Sequence, residues 1–113
     1  MKVVISFIRP NMLDDVTFAL HRLDGLPGMS VSDIKGFGRR SGKDQNHPQT
    51  EDLIGFIPYV RIEIVCGDDL VEQVIETIRQ SAHTGLHGDG KMYVGDITQA
   101  VRISTGETGN EAV

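Results

Sequence analysis

Residues 60–82 read VRIEIVCGDDLVEQVIETIRQSA and contain, in direct succession, the patterns of a strand and of a helix. Val60, Ile62 and Ile64 occupy every second position, which is the period of a strand with one buried face. The turn Gly67-Asp68-Asp69 then starts a helix. Its apolar residues recur three or four positions apart and form one face: Leu70, Val71, Val74, Ile75, Ile78 and Ala82. The segment therefore predicts one strand–helix unit.

A second unit of the same kind lies nearer the N-terminus. Val3–Ile8 is a short β-branched run that ends before Pro10, as expected for a buried strand. Residues 11–23 carry apolar side chains on one helical face, and Asp14 and Asp15 lie in the first turn, where the helix dipole favours negative charge. The two halves of the chain thus repeat one pattern.

Each unit is followed by a further strand, at residues 29–35 and at residues 92–94. Two such units predict an α+β, ferredoxin-like βαββαβ sandwich with both helices on one face of the sheet. Another short strand is predicted at residues 101–103. Because the open face and the edges of this sheet need to be covered, we expect a homo-oligomer.

Length and composition exclude several classes of protein. The 113 residues suit a single domain, residues 1–113. A net charge of −5 argues against a nucleic-acid-binding surface, which rests on a basic field. No apolar run approaches the ~20 residues that cross a bilayer, and the N-terminus lacks a signal-peptide pattern. Cys66 is the single cysteine and is expected to be a buried hydrophobe. We therefore expect a cytoplasmic protein that is not inserted into a membrane.

Residues 36–55 differ from the rest of the chain. They contain glycines, polar residues and Pro48, with almost no apolar periodicity. Loops longer than ~12–15 residues are uncommon in compact domains and tend to be functional or disordered. This long loop is therefore a candidate functional segment.

Two glycine-bearing segments with cations are candidates for binding an anion, namely Lys35-Gly36-Phe37-Gly38-Arg39-Arg40 and Gly88-Asp89-Gly90-Lys91. Glycine lets backbone N–H groups approach a phosphate closely, and a following cation adds charge at its oxygens. Each segment also suits an ordinary bend or turn, and neither matches a P-loop or a dinucleotide fingerprint. Arg102 is a third candidate, with a surface charge as the alternative interpretation.

The chain offers little for catalysis. No serine, cysteine or aspartate lies in a recognisable nucleophile motif, which favours binding over catalysis. His83 and His87 are four residues apart, but Gly85 interrupts a continuous helical face between them. The alternative function is a trimeric metal-responsive or scaffold protein on the same fold, with His47, Asp52, His83 or His87 as ligands.

The chain contains a series of short segments in a characteristic order. They are Ile8-Arg9-Pro10, Leu13-Asp14-Asp15-Val16, Gly28-Met29-Ser30-Val31, Lys35-Gly36-Phe37-Gly38-Arg39, Phe56-Ile57-Pro58, Val60-Arg61-Ile62-Glu63-Ile64, Thr84-Gly85, Gly88-Asp89-Gly90-Lys91, Arg102-Ile103 and Thr105-Gly106-Glu107. Together they resemble the PII family of signal-transduction proteins over nearly the whole chain. The order and spacing of the segments carry this resemblance, because each segment alone is a weak signal.

The resemblance implies a homotrimer that binds ATP or ADP in clefts between ferredoxin-like subunits. It implies a T-loop at about residues 37–55, a B-loop at about residues 83–91 and a C-terminal segment at about residues 102–113. It also implies a non-catalytic regulator of the nitrogen-regulatory type that controls a partner, a membrane transporter or a metabolic enzyme, through the T-loop. The residues that it assigns to the nucleotide are Gly36, Phe37, Gly38, Arg39, Glu63, Val65, Gly88, Asp89, Gly90, Lys91 and Arg102, with Arg102 reaching over from the adjacent subunit.

The sequence departs from the family pattern at positions that bind the effector, are modified or contact a partner in other members. Nitrogen-sensing members bind 2-oxoglutarate with Mg-ATP through a glutamine and a lysine, and Arg40 and Tyr59 stand at those positions. Asp52 replaces the tyrosine that some members have uridylylated, and Pro48 replaces the arginine that plugs ammonium channels. We therefore expect a partner-binding loop with Arg40, His47, Pro48 and Asp52 that lacks the usual effector, modification and channel contacts.

One departure concerns the phosphates themselves. Ser104 stands where the family has a second C-terminal arginine that contacts them. Each charge-assisted contact is worth ~1.5–3 kcal/mol, so its loss should weaken the grip on the terminal phosphates. The expected preference shifts toward ADP or AMP, unless Arg40 compensates.

Overall fold

The computed structural model describes residues 1–37 and residues 55–113 of the chain. In chain order, its elements are β1 (Lys2–Ile8), a short 3-10 helix (Pro10–Met12), α1 (Leu13–His21), β2 (Ser30–Gly36), β3 (Ile57–Cys66), α2 (Val71–Ala82), β4 (Gly90–Asp96) and a second 3-10 helix (Gly109–Ala112). Neither of the two described α-helices is long and apolar enough to cross a membrane.

The four strands form one antiparallel sheet in the order β2-β3-β1-β4. Val4 of β1 lies opposite Ile64 of β3 and opposite Val94 of β4, which sets the register of β1 against both of its neighbours. This order, with one helix after β1 and one after β3, is the ferredoxin-like βαββαβ topology. The α+β fold expected from the sequence is therefore confirmed.

The hydrophobic core lies between the sheet and the two helices. Alternate residues of β1 and β3 are buried, as the period of two predicts, and they pack against the apolar faces of α1 and α2. Residues of both helices belong to the same core, so both helices cover the same face of the sheet. The buried hydrophobic residues are Val4, Ile8, Val16, Leu20, Val60, Ile62, Ile64, Cys66, Val71, Val74, Ile78 and Ala82.

The element boundaries differ from the sequence predictions at several places. Strand β4 spans Gly90–Asp96 where residues 92–94 were predicted, and α1 ends at His21. The first α-helix begins at Leu13 because residues 10–12 form a 3-10 turn, in which the Met12 N–H donates to the Arg9 carbonyl at 3.0 Å. Pro10 suits the first position of that turn because it has no N–H to satisfy.

The short strand predicted at residues 101–103 is wrong. Val101 forms only an isolated bridge with Thr108, and Ile103 is 99% exposed. The Arg102 N–H donates to the Glu107 carbonyl at 2.8 Å, and the chain turns back on itself between these residues. An alternation of apolar residues over three positions is too short to distinguish a strand from such a turn.

The face of the sheet opposite the helices is left partly exposed. On β1, Val3, Ile5 and Phe7 are half-buried on this face, and the Phe7 ring makes a T-shaped contact with the ring of Tyr93 on β4, with centroids 6.1 Å apart. Tyr93 remains 55% exposed. Hydrophobic and aromatic side chains on an open face suit a subunit contact or a ligand site. The expected homo-oligomer stays a prediction.

Ser6 is a polar residue in the middle of the core, and its replacement by alanine should stabilise the protein. Its side chain is fully buried between Ile62 and Met92 on the neighbouring strands, and its hydroxyl has no hydrogen-bond partner among the described residues. Because a buried, unpaired hydroxyl costs free energy, Ser6→Ala should raise the free energy of unfolding by about 1 kcal/mol. Urea unfolding would measure this change.

Ser32→Ala is the matched control, since Ser32 is an exposed strand residue. Its free energy of unfolding should change by less than about 0.5 kcal/mol. A loss of stability in Ser6→Ala would show that the hydroxyl makes a stabilising contact.

Candidate functional site

A cavity of about 240 Å3 lies on the open face of the sheet. Its floor and walls come from all four strands and from the residue that follows β2: Phe7, Ile34, Gly36, Phe37, Tyr59, Gly90, Lys91 and Tyr93. The sheet places them together because β2 ends and β4 begins at the same end of β1 and β3. Four residues predicted to form the site, Gly36, Phe37, Gly90 and Lys91, thus line one cavity.

The cavity combines aromatic surface with one positive charge. Phe7, Phe37, Tyr59 and Tyr93 supply the aromatic rings. Lys91 is exposed and is the one charged side chain among the described residues that line the cavity. Aromatic rings can hold a planar base, while an ammonium group can bind an anion. The arrangement suits a ligand with both parts.

Gly90 allows the B-loop to approach β1 at the edge of this cavity. It pairs with Ile8 at the first position of β4 and has a φ of +110°. A Cβ at this position would lie 1.7 Å from the Phe7 carbonyl oxygen. No side chain can be accommodated there without displacing β1 from β4, so glycine is required at this position.

Asp89 organises the B-loop from within. Its carboxylate accepts hydrogen bonds from the Thr84 N–H at 2.8 Å and from the Thr84 hydroxyl, and it pairs with His83 Nδ1 at 3.3 Å. The Arg9 Nε–H donates to Oδ1 at 3.2 Å. The Thr84 hydroxyl, together with the Thr84 amide and Arg9, lowers the pKa of Asp89 to about 2 despite partial burial. Both carboxylate oxygens are therefore occupied by protein donors.

Reasoning from the sequence missed Phe7, Ile34 and Tyr93, which line the cavity, and it also missed Arg9. Arg9 follows β1, and its side chain reaches the B-loop, where Nε contacts Asp89 and Nη2 donates to the His87 carbonyl. The segment Ile8-Arg9-Pro10 belongs to the family resemblance, but its spacing gives no sign of a contact with residues 80 positions away. Only the antiparallel pairing of β1 with β4 brings them together.

Glu63 and Val65 line a different depression on the same open face. It also contains Pro27, Gly28, Met29, Ser30 and the C-terminal Val113. Glu63 pairs with Arg61, with 2.8 Å between Arg61 Nη2 and Glu63 Oε1. On β3, Glu63 lies four positions from Tyr59 of the first cavity, which corresponds to ~13 Å along a strand. One chain therefore does not bring Glu63 and Val65 to Lys91.

Arg102 lies in the C-terminal turn and lines neither depression. Its Nε is 3.6 Å from Glu107 Oε1, and its Nη2 donates to the Glu111 carbonyl at 3.3 Å. The side chain remains about half exposed. The structure thus holds Arg102 in an ordered, accessible turn, apart from the Lys91 cavity of the same chain.

Six of the predicted site residues lie outside the described residues: Gly38, Arg39, Arg40, His47, Pro48 and Asp52. The same holds for two of the four ligands of the metal-site alternative. Among residues 1–37 and 55–113, no three histidine, cysteine, aspartate or glutamate side chains come together in a way that could hold a metal ion.

Comparison with known proteins identifies the family. The family model described as "Nitrogen regulatory protein P-II" matches residues 1–107. Similar proteins of the same name occur in Mesorhizobium japonicum, with 48% identity, and in Bradyrhizobium diazoefficiens, with 47% identity. "Nitrogen regulatory protein P-II 1" of Escherichia coli strain K12 is 42% identical. Each match covers all 113 residues of this chain and the whole of the relative.

These relatives are named as regulators, and the matches extend over the strands, the helices and the B-loop described above. The ferredoxin-like topology agrees with the fold that the sequence resemblance implied. The chain belongs to the nitrogen regulatory protein P-II family.

Proposed function

We propose that this protein is a non-catalytic signal-transduction regulator that binds an adenine nucleotide, ATP or ADP, and passes the bound state to a partner protein. The observation that carries this proposal is the cavity in which the base of the T-loop, the B-loop glycine Gly90 and the ammonium group of Lys91 meet. Membership of the P-II family makes the regulatory role the natural interpretation of such a cavity.

The chemistry of the cavity supports a nucleotide as the ligand. The rings of Phe7, Tyr59 and Tyr93 offer apolar surface to a base, and the charge of Lys91 can pair with phosphate oxygens. The B-loop has glycines at positions 85, 88 and 90, and Gly90 lines the cavity, where a backbone without a side chain lets N–H groups approach an anion. The ion pair with Arg9 and the hydrogen bonds from Thr84 reduce the repulsion that the Asp89 carboxylate would exert on a phosphate.

The proposed site is shared between the subunits of a homotrimer. Glu63, Val65 and Arg102 do not reach the Lys91 cavity within one chain. A second subunit packed against the open face would bring its own copies of these residues to that cavity. A nucleotide held in this way stabilises the assembly, because it binds only when both surfaces are present.

The T-loop at residues 37–55 is the proposed output of the site. Phe37 at the start of the loop packs against Phe56, which directly follows its end, with ring centroids 5.6 Å apart. Since Gly36 and Phe37 also line the cavity, a bound phosphate contacts the base of the loop and can bias its conformation. Arg40, His47, Pro48 and Asp52 would then contact a cytoplasmic partner, either a metabolic enzyme or a membrane transporter.

The proposed effector chemistry differs from that of nitrogen-sensing family members. Tyr59 lines the cavity with a neutral phenol at the position where the resemblance expects a lysine for 2-oxoglutarate. With Arg40 and Ser104 also departing from the pattern, we propose that this protein responds to the nucleotide itself, with ADP or AMP competing well against ATP. A Mg-dependent dicarboxylate is not part of the proposed mechanism.

Calorimetric titration of the full chain with ATP, ADP and AMP tests the proposal. We expect saturable binding of at least one of these nucleotides in the micromolar range, and sedimentation of the same samples should give a trimer that the nucleotide stabilises. GTP is the matched control ligand, since it has the same phosphates and a different base. Binding too weak to detect at millimolar concentration for all three adenine nucleotides would exclude the proposed function.

A further inference from the structure

We propose that Arg9 and Asp89 form a clasp that fixes the conformation of the B-loop, so that Asp89 acts in nucleotide binding by shaping the loop and not by touching the ligand. We call this pair the Arg9–Asp89 clasp. The part of the inference that concerns ligand affinity rests on the proposed function. The part that concerns the loop conformation rests on the contacts alone.

Arg9 holds the B-loop at two points at once. Its Nε–H donates to Asp89 Oδ1 at 3.2 Å, and its Nη2 donates to the carbonyl of His87. The planar guanidinium presents these donors in a fixed geometry, which a single ammonium group cannot reproduce. The side chain thus fixes Asp89 and His87, on the two sides of Gly88, relative to the end of β1.

Gly88 leaves the space that this contact requires. A Cβ at position 88 would lie 3.3 Å from Arg9 Nη2 and 4.0 Å from the Tyr59 hydroxyl oxygen. The Arg9 guanidinium therefore lies close to the backbone at Gly88, and Tyr59, which lines the Lys91 cavity, lies close to the same position. Position 88 of the loop thus lies beside both the clasp and Tyr59 of the cavity wall.

Asp89 completes the clasp by connecting the two ends of the loop. Its carboxylate accepts hydrogen bonds from the amide and the hydroxyl of Thr84, where the loop leaves α2, while Asp89 itself directly precedes β4. Asp89 and Arg9 are both partly buried, with side chains 22% and 29% exposed. With its oxygens facing these donors, the carboxylate is not available to a ligand in the cavity.

For Asp89, the clasp predicts a change in nucleotide affinity opposite in sign to the change that charge alone predicts. If Asp89 acted only as a negative charge near bound phosphates, its removal would tighten nucleotide binding. If Arg9 acted only as a positive charge, a lysine would serve equally well. In a clasp, both changes loosen the loop that presents Gly90 and Lys91 to the ligand, so both weaken binding.

The test uses Arg9→Lys and Asp89→Asn in the full chain, with ATP as the probe. We expect each variant to bind ATP about tenfold more weakly than the unmodified protein, since each loses one charge-assisted contact. The double variant should lose little more than the worse single variant, because both changes break the same contact. Without nucleotide, hydrogen exchange of the backbone amides in residues 84–91 should accelerate in both single variants.

Asp96→Asn is the matched control, because it removes the ion pair between Asp96 and Lys2. This pair lies at the end of the β1–β4 ladder that is far from the B-loop. It should leave both ATP affinity and exchange in residues 84–91 unchanged. The clasp is overturned if Arg9→Lys retains full affinity, if Asp89→Asn binds ATP more tightly, or if loop exchange is unchanged in both variants. If the unmodified protein binds none of ATP, ADP and AMP, the proposed function fails, and the exchange measurement alone decides the clasp.

Discussion

Gly90→Ala is expected to lower the free energy of unfolding by at least about 3 kcal/mol, which is a large part of the stability of a small domain. Two physical terms add at this position. The backbone has a φ of +110°, which a residue with a Cβ rarely adopts, and the Cβ would lie 1.7 Å from the Phe7 carbonyl oxygen. Because that oxygen belongs to the backbone of β1, relief requires separation of β1 from β4.

Gly85→Ala is the control that separates these two terms. Gly85 lies in the same loop with a φ of +85°, but a Cβ there would meet no atom within 4 Å. Its replacement should therefore cost only about 1 kcal/mol, the strain of a positive φ without a clash. Thermal or urea unfolding of both variants would measure the difference. Equal losses in the two variants would mean that the close approach to Phe7 contributes nothing.

Lys91→Ala should weaken nucleotide binding by about tenfold to a hundredfold, if the proposed function is right. Lys91 is the charged side chain that the described residues contribute to the cavity, and an ammonium–phosphate contact is worth more than a neutral hydrogen bond. Since the side chain is exposed, the free energy of unfolding should change little. Calorimetric titration with ATP and ADP would separate the loss of affinity from any loss of folding.

Lys35→Ala is the matched control for this variant. Lys35 is an exposed lysine on β2, and the alternation of the strand directs it to the face opposite Ile34 and Gly36, which line the cavity. It removes the same charge from the protein without removing a group from the site. A comparable loss of affinity in both variants would indicate a general effect of net charge and no specific contact at Lys91.

Regular elements were the part of the structure that could be predicted well. Strand β3 and helix α2 follow from the periods of two and of three to four in residues 60–82, because these patterns depend only on which side chains share a face. The strand predicted at residues 101–103 failed for the converse reason. Three residues do not establish a period, and the hydrogen bonds of the turn around Arg102 depend on residues farther along the chain.

The candidate site was predictable in part. The glycines and cations of residues 35–40 and 88–91 marked two candidate anion-binding segments, since such residues let a backbone approach a phosphate. The sequence alone could not tell whether the segments meet. Strand order decides that, because β2 and β4 are the two edges of the sheet, and the described ends of both segments reach one cavity across Phe7 and Tyr59.

Residue patterns along the chain are thus sufficient for the type of each main element, for the ferredoxin-like topology and, through the order of short motifs, for the P-II family. These properties depend on side chains that are close in sequence or on motifs that keep their spacing. Three other features depend on the register of β1 against β4. They are the contacts of Arg9 with the B-loop, the hydrogen bonds around Asp89 and the requirement for glycine at position 90. That register brings together residues some 80 positions apart, and no local pattern encodes which pairs of side chains then come into contact.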